Sequence, residues 1–387
     1  MAAAGGSFDP FLLTAPALRA RRGGKWHRYE PDVLPAFVAD MDFRVAPAVQ
    51  AVLASMVGSE DYGYGSMEDG GRLAAAFARR MLARYGWEVD PALVVGVADV
   101  IQGIASSLIA FSAPDDGVVV QTPVYPPFLR GVPMVGRRLV ENPVVLGAGD
   151  GGGFGIDFEG LRVAVGDGRP RILLLCNPHN PTGRAFTRSE LLGLLAVAKE
   201  FDLVVVSDEI HSDLMYPGFA HIPFASLPGA AERCVTLTSA TKSFNIPGAR
   251  CAVMHFGSAA LLERFRASFP EFVLGHPSRF GLEATIAAWD EGQPWLDLCL
   301  AYLQRNRSRV GSWVAEAARG IRYFAPDATY LAWFDCSAFG LPGESPFEFF
   351  LERARVGLGV GLDFGEPGRM CVRLNFGTSV EILEGIL

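Results

Sequence analysis

Short apolar runs alternate with amphipathic stretches through residues 66–275. The runs are about four or five residues long and rich in Val, Ile and Leu, which is typical of buried strands. The stretches between them carry apolar residues at helical spacing, and the first begins at Ser66 with Leu73, Phe77 and Met81 on one face. This alternation predicts right-handed crossovers and a mainly parallel sheet. The predicted strands cover residues 93–97, 117–121, 172–175, 203–206 and 235–238.

The pattern differs on either side of this region. Residues 1–45 are irregular and rich in Gly, Pro and Arg, and we predict an N-terminal arm that joins a small domain. Residues 46–275 are the predicted large α/β domain, and residues 276–387 are the predicted small α+β domain. The small domain is predicted to contain helices at residues 279–288, 295–318 and 347–354 and strands at residues 329–334 and 370–376.

Composition narrows the classes of function. Half of the 387 residues are hydrophobic, which is enough for a large core and more than one domain. The net charge of −8 argues against a nucleic-acid partner, because binding to phosphates needs a basic face. No uncharged apolar run reaches the roughly 18 residues of a membrane span, and the order of apolar and basic residues at the N-terminus is wrong for a signal peptide. We therefore expect a cytoplasmic protein without a membrane partner.

The basic and metal-ligating residues do not form a recognisable site. The six cysteines include no C-x-x-C pair and the six histidines no H-E-x-x-H spacing, so we predict buried reduced thiols and no metal. Asp40 and Asp42, taken alone, are typical turn residues. One basic cluster is expected to be solvated or to line a substrate entrance, and it comprises Arg19, Arg21, Arg22 and Lys25.

Polar or aromatic residues follow several of the predicted strands. In an open α/β sheet, ligands bind in the crevice beyond the carboxyl ends of the strands. We therefore expect these side chains to converge on one site. After the predicted strand at residues 93–97 the chain turns into a helix at Asp99, and the free N–H groups at the start of this helix are suited to bind an anion. The residues are Asp99, Tyr125, Asn180, Asp208 and Lys242.

Two cations stand out by their surroundings. A partly desolvated Lys242 could form a Schiff base with a carbonyl cofactor, and Ser239 and Arg250 could then bind a phosphate of that cofactor. The alternative is a polar loop with a surface lysine and arginine. Arg373 lies in an apolar strand and needs an anionic partner, which is either a protein carboxylate or a substrate anion.

With these residues the chain resembles the fold-type I pyridoxal-phosphate enzymes, in the MalY/PatB-like branch of cystathionine β-lyases related to the class I and II aminotransferases. The resemblance implies pyridoxal 5′-phosphate as cofactor. It also implies a large domain with a mainly parallel seven-stranded sheet between helices, and a smaller α+β domain. It extends over nearly the whole chain through the segments 25–26 (KW), 38–43 (VADMDF), 62–64 (YGY), 122–128 (TPVYPPF) and 373–377 (RLNFG).

The resemblance further implies roles for single residues. Lys242 would be the Schiff-base lysine and the base that moves the α-proton. Asp208 would keep the pyridine nitrogen protonated, so that the ring accepts electrons. Asn180 would bind the ring 3-oxygen, Tyr125 would stack on the ring, and His211 would also lie at the cofactor.

The phosphate and the substrate are assigned to other residues by the same resemblance. The α-carboxylate of the substrate would bind Arg373 as a bidentate pair, with Asp40 and Tyr64 also at the substrate. Because Tyr64 would act across a subunit boundary, a homodimer with shared sites is expected. The phosphate would be bound by Ser239, Arg250, the backbone amides of Val100 and Ile101, and Tyr64 from the neighbouring subunit.

One run departs from the family pattern. The family often has Gly-Val-Val-Pro at the phosphate loop, where this chain has Asp99, Val100, Ile101 and Gln102. An acid beside a phosphate is unfavourable, so we expect Asp99 to cap the helix while the amides behind it bind the phosphate.

Three functions are compatible with the resemblance. The first is α,β-elimination from an S-substituted L-cysteine such as cystathionine, which gives a thiol, pyruvate and ammonia. It rests on residues 39–43 and on the sequence Asp208-Glu209-Ile210-His211. The second is an aminotransferase of an L-amino acid, and the third is a regulatory protein that binds the cofactor without catalysis.

Overall fold

The computed structural model describes residues 13–66, 68–147, 149, 153–341, 343 and 345–387. The helices are α1 (Ala15–Arg19), α2 (Pro47–Gly58), α3 (Asp69–Tyr85), α4 (Val100–Phe111), α5 (Pro126–Met134), α6 (Phe158–Gly168), α7 (Arg188–Glu200), α8 (Ala240–Ser243), α9 (Ala259–Ser268), α10 (Glu271–Leu274), α11 (Arg279–Glu291), α12 (Gln293–Glu316), α13 (Pro346–Arg353) and α14 (Val380–Ile386).

The strands are short, as the lengths of the apolar runs predict. They are β1 (Leu34–Pro35), β2 (Val94–Val97), β3 (Gly117–Val120), β4 (Arg138–Glu141), β5 (Val145–Leu146), β6 (Phe154–Gly155), β7 (Pro170–Cys176), β8 (Val204–Asp208), β9 (Cys234–Thr238), β10 (Ala252–Phe256), β11 (Arg322–Tyr323), β12 (Leu331–Asp335), β13 (Val356–Gly357), β14 (Gly359–Val360) and β15 (Cys371–Asn375).

The large sheet has seven strands in the order β2-β10-β9-β8-β7-β3-β4. β10 runs antiparallel to both of its neighbours, whereas the neighbouring pairs from β9 to β4 are parallel. The predicted mainly parallel seven-stranded sheet is therefore confirmed. Since β2, β3, β7, β8 and β9 run in the same direction, their carboxyl ends lie at one edge of the sheet.

Helices cover both faces of this sheet. Val118 and Val120 in β3 pack into an apolar cluster with residues of α4 and α9. Val119 between them packs on the opposite face with residues of α6 and α7. Alternate residues of a strand point to opposite faces, so a continuous apolar run identifies a strand buried on both sides.

Side-chain caps fix the starts of the helices that matter for the site. Thr187 and Glu190 form a capping box at α7. Asp99 caps α4, as predicted, because its carboxylate accepts the N–H of Gln102 at 2.8 Å. Ser239 caps α8 by accepting the N–H of Thr241 at 3.1 Å.

A second sheet has the order β11-β12-β15-β14, and all of its pairings are antiparallel. The N-terminal region contributes the short helix α1 and the strand β1, although its sequence predicts irregular structure. β1 pairs in parallel with β13, so the arm is attached to elements from the C-terminal part of the chain. The domain boundaries after residues 45 and 275 stay a prediction.

None of the helices in the described part of the chain is both long and apolar enough to cross a membrane. Within the same residues, no three His, Cys, Asp or Glu side chains are grouped so that they could hold a metal ion. All six cysteines are free and buried.

Candidate active site

The residues predicted from the strand ends lie at the same edge of the large sheet. Asp99 follows β2, Tyr125 follows β3 and Asn180 follows β7. Asp208 is the last residue of β8, and Lys242 lies in α8 directly after β9. The site therefore draws its side chains from separate strands of one rigid sheet.

Lys242 has the properties of a reactive amine. Its Nζ donates a hydrogen bond to the carbonyl of Ala39 at 2.7 Å. The pKa of Lys242 is lowered to about 8, mainly because the amine is buried. Arg373 acts in the same direction, whereas Asp40 and Asp208 oppose the shift. A large fraction of the amine is thus neutral in mildly alkaline solution, which a nucleophile or a base requires.

Asp208 is a buried carboxylate. Its Oδ1 accepts the N–H of Ile210 at 3.1 Å, and burial raises the pKa of Asp208 to about 7. In the described part of the chain, no cationic side chain forms an ion pair with it. Burial without a directly paired cation disfavours the charged carboxylate, and the nearby Lys242 offsets this only in part. A ligand with a protonated nitrogen would therefore bind here and stabilise the carboxylate.

Arg373 lies in the middle of β15 and is held by neutral oxygen atoms. Its Nη1 donates to Oδ1 of Asn180 at 2.8 Å, and its Nη2 donates to the carbonyl of Phe37 at 2.7 Å. Its Nε has no partner, and burial lowers its pKa to about 10. A protein carboxylate was one predicted partner, but no described carboxylate pairs with this guanidinium. A buried cation with neutral partners is suited to an anionic ligand.

The remaining predicted ring contacts surround these charges. The ring of Tyr125 lies edge-on to Phe128, with 6.3 Å between centroids. Burial raises the pKa of Tyr125, and the negative charge of Asp208 raises it as a second, smaller cause. His211 is buried with its Nδ1 unpartnered, and burial and the cations Lys242 and Arg373 lower its pKa to about 3. It is therefore a neutral imidazole at neutral pH.

The predicted phosphate residues lie at the N-terminus of α4 and beside α8. Val100 and Ile101 are the first two residues of α4, and helix geometry leaves their N–H groups without intrahelical acceptors. Arg250 forms an ion pair with Asp99, with 2.7 Å between Nη2 and Oδ2. The hydroxyl of Ser239 donates to the carbonyl of Cys251 at 2.5 Å. The guanidinium and the two amides therefore lie close to one helix end, whereas the proton of the Ser239 hydroxyl is already donated within the chain.

Tyr64 is fully exposed on its own chain. It lies in the wall of an open groove of about 1000 Å³ together with Tyr62, Phe269, Leu274 and Phe280. Its predicted role at the site of a neighbouring subunit stays a prediction.

Several side chains position the main chain of residues 37–43, and sequence reasoning assigned no role to three of them, Asn245, Tyr330 and Asn375. Asn375 lies two residues after Arg373 on the same face of β15, and a second buried polar residue at this spacing is the signal that could have identified it. Side chains donate hydrogen bonds to the main-chain carbonyls of this segment as follows, in chain order of the acceptors: Arg373 to Phe37, Asn375 to Val38 and Asp40, Lys242 and Tyr330 to Ala39, Lys25 to Asp40, and Asn245 to Met41 and Phe43.

A buried ion pair corrects two predictions about this segment. Nζ of Lys25 lies 2.7 Å from Oδ2 of Asp42, and both side chains are almost inaccessible. Nε1 of Trp26 donates to the other carboxylate oxygen at 2.7 Å. Lys25 is therefore neither solvated nor at an entrance, and Asp42 is more than a turn residue. Burial raises the pKa of Asp40, although the cations Lys25 and Lys242 oppose this shift.

The donor set fits pyridoxal phosphate. Lys242 provides an amine for the aldehyde, and Asp208 provides a carboxylate for the ring nitrogen. The oxygen of Asn180 is taken by Arg373, so this residue could offer its amide N–H groups to the ring 3-oxygen. Arg250 and the start of α4 match the charge of a phosphate.

Fold and site define a pyridoxal-phosphate enzyme of fold type I. The chain belongs to the family described as aminotransferase class I and II, whose sequence profile matches residues 43–384. It is 36% identical to cystathionine beta-lyase PatB of Bacillus subtilis over 354 residues, which are 91% of this chain and 90% of the relative. The family and fold predicted from the sequence are thus confirmed.

Solved structures agree with this assignment. The chain is similar to cystalysin from Treponema denticola, which contains pyridoxal 5′-phosphate, with a TM-score of 0.88, 28% identity and 95% of each chain covered. It is also similar to a C-S lyase from Staphylococcus hominis with bound pyridoxal phosphate, with a TM-score of 0.88 and 27% identity over 95% of this chain and 94% of that one.

Proposed function

We propose that this protein is a pyridoxal-phosphate-dependent carbon–sulfur β-lyase. It removes the β-substituent of an S-substituted L-cysteine such as cystathionine and gives a thiol, pyruvate and ammonia. Relatives of the chain are named cystathionine beta-lyase and C-S lyase. The observation that carries this proposal is that Arg373 of β15 reaches the edge of the large sheet where Lys242 and Asp208 lie, since it donates to Asn180 at 2.8 Å and adds to the effect of burial in lowering the pKa of Lys242. The relatives bear out the cofactor and the lyase class predicted from the sequence.

Each of the three residues has a distinct task. When bound, the cofactor supplies an aldehyde that captures the substrate amine and a ring that accepts the electron pair from Cα. Arg373 binds the α-carboxylate through its forked N–H groups. Lys242, with a pKa near 8, is a base of suitable strength for the α-proton. Asp208 balances the positive charge of the ring nitrogen.

The elimination consumes one water and needs no oxidant. Lys242 takes the proton as the Cα–H bond breaks, and the Cβ–S bond then breaks with its electron pair leaving on sulfur. Lys242 can return the proton it has taken to the departing thiolate, which leaves as a thiol. The released unsaturated amine reacts with one water and gives pyruvate and ammonia.

The decisive experiment assays a panel of S-substituted cysteines, cystathionine included, for released pyruvate. We expect pyruvate and thiol in equal amounts. Transfer of the amino group to a keto acid without pyruvate would refute the lyase proposal in favour of the aminotransferase. Lys242→Ala should abolish the reaction and the visible absorbance of the lysine-bound cofactor, whereas Lys199→Ala, at an exposed lysine, should change neither. Full biological activity of Lys242→Ala would favour the regulatory alternative.

The proposal includes a homodimer. It is supported by the full exposure of Tyr64 and by the apolar groove beside it. If analytical ultracentrifugation showed a stable monomer and this monomer were fully active, the assignment of Tyr64 would be contradicted. The buried free cysteines agree with a reducing compartment, which supports the expected cytoplasmic location.

A further inference from the structure

Asp99 makes two contacts at the start of α4, and each uses a different oxygen. Oδ1 accepts the N–H of Gln102 at 2.8 Å, whereas Oδ2 lies 2.7 Å from Nη2 of Arg250. Capping alone would need only the first contact. The second contact binds the guanidinium that the family resemblance assigns to the cofactor phosphate.

Gln102, which stands where the family often has the proline of its phosphate loop, supports this arrangement. A proline at position 102 would have no N–H to donate, whereas Gln102 donates its own to Asp99. The side chain of Gln102 accepts the N–H of Ala98 at 2.8 Å and donates to the carbonyl of Leu274 at 2.8 Å. Gln102 therefore anchors the turn that carries Asp99, so that its carboxylate is held at the helix N-terminus.

We propose that Asp99 is an internal competitor of the cofactor phosphate. Its carboxylate occupies Arg250 and the positive end of α4, and it lowers the affinity of this chain for pyridoxal phosphate. This inference rests on the proposed function. It assigns to Asp99 a role in setting cofactor affinity rather than in the chemical step.

Electrostatics gives the sign of the effect. A phosphate bound by Arg250 and by the amides of Val100 and Ile101 would lie at the same helix end as the carboxylate of Asp99. Both anions are stabilised by the same dipole and the same guanidinium, and they repel each other. Because Asp99 and Arg250 are partly exposed, this repulsion is reduced by water but not removed.

The test is Asp99→Asn, which removes the charge and keeps a side-chain oxygen that can cap the helix. Dissociation constants are measured on the cofactor-free full chain, from the visible absorbance for pyridoxal phosphate and for pyridoxal. We expect roughly tenfold tighter binding of pyridoxal phosphate, as Coulomb's law gives for a unit charge a few ångströms from a dianion in water-like surroundings. Binding of pyridoxal, which has no phosphate, should not change.

A matched control and a second ligand complete the design. Asp90→Asn removes a charge from another capping carboxylate, which accepts the N–H of Ala92 at 2.9 Å, and it should leave both constants unchanged. Asp99→Ser serves as a second uncharged cap if the first variant folds poorly. Isothermal titration with inorganic phosphate should show tighter binding to Asp99→Asn than to the natural chain.

The outcomes separate this inference from the proposed function. Unchanged or weaker binding of pyridoxal phosphate to Asp99→Asn would overturn the inference, since Asp99 would then be neutral or would serve to orient Arg250. Equal tightening for pyridoxal would also overturn it, because the phosphate would not be involved. If the natural chain bound no cofactor at Lys242, the proposed function would fail, and the titration with inorganic phosphate would decide the role of Asp99 alone.

Discussion

The buried pair of Lys25 and Asp42 gives a sharp test of how the active-site segment is held. Asp42→Asn removes one charge but keeps the side chain's size and an oxygen acceptor for Trp26. Lys25 is then left as a buried cation, with the carbonyl of Asp40 at 2.9 Å as its remaining acceptor. Residues 39–43 would lose their ion pair with Lys25.

The magnitude follows from the burial of both groups. The side chains are 4% and 3% exposed, so neither charge is compensated by water. Removal of one partner of such a pair typically costs about 3–5 kcal/mol, because the other charge stays buried. We expect about 3 kcal/mol in the free energy of unfolding, since Lys25 keeps one polar partner.

Urea unfolding of the cofactor-free chain measures this cost as a shift of the midpoint at constant slope. The double variant Lys25→Met with Asp42→Asn removes both charges and should recover much of the loss, which makes the two substitutions non-additive. The exposed pair of Asp32 and Arg355, joined by two hydrogen bonds of 2.8 Å, provides the control, and Asp32→Asn should have no measurable effect. If Asp42→Asn behaved like Asp32→Asn, or if the double variant were no more stable than the single one, the reasoning would be wrong.

Two further predictions concern the site itself. The rate at which the cofactor-free chain captures pyridoxal phosphate should rise with pH up to about 8 and then level off, because the amine of Lys242 must be neutral to attack and its pKa is lowered to about 8. Stopped-flow absorbance measures this rate. A rate that continued to rise up to pH 10 would show that Lys242 has the pKa of an ordinary lysine. Arg373→Lys should lower kcat/KM about 30-fold with the cofactor absorbance unchanged, because one charge-assisted hydrogen bond of about 2 kcal/mol to the substrate carboxylate is lost. If KM and kcat were both unchanged, Arg373 would not bind the substrate.

The strand ends were the part of the site most accessible from the sequence. Asp208 and Lys242 follow apolar runs, and parallel strands place such residues at one edge regardless of the details of packing. The strand β10 was not predicted, and its antiparallel position between β2 and β9 depends on pairing with segments far away in the chain. The sequence indicated that Arg373 needs a partner. Its actual partners, Asn180 and the carbonyl of Phe37, are far from it and from each other in the sequence, so only the fold could identify them.

The sequence by itself determined what depends on near neighbours. Apolar periodicity defined the strands and helices, and capping by Asp99 and Thr187 involves atoms only three residues away. Tertiary structure decided what depends on distant groups, such as the pairing of Asp99 with Arg250 and the burial of Lys25 against Asp42. The same holds for the reactivity of Lys242, because its lowered pKa results first from burial, and burial is a property of the whole fold.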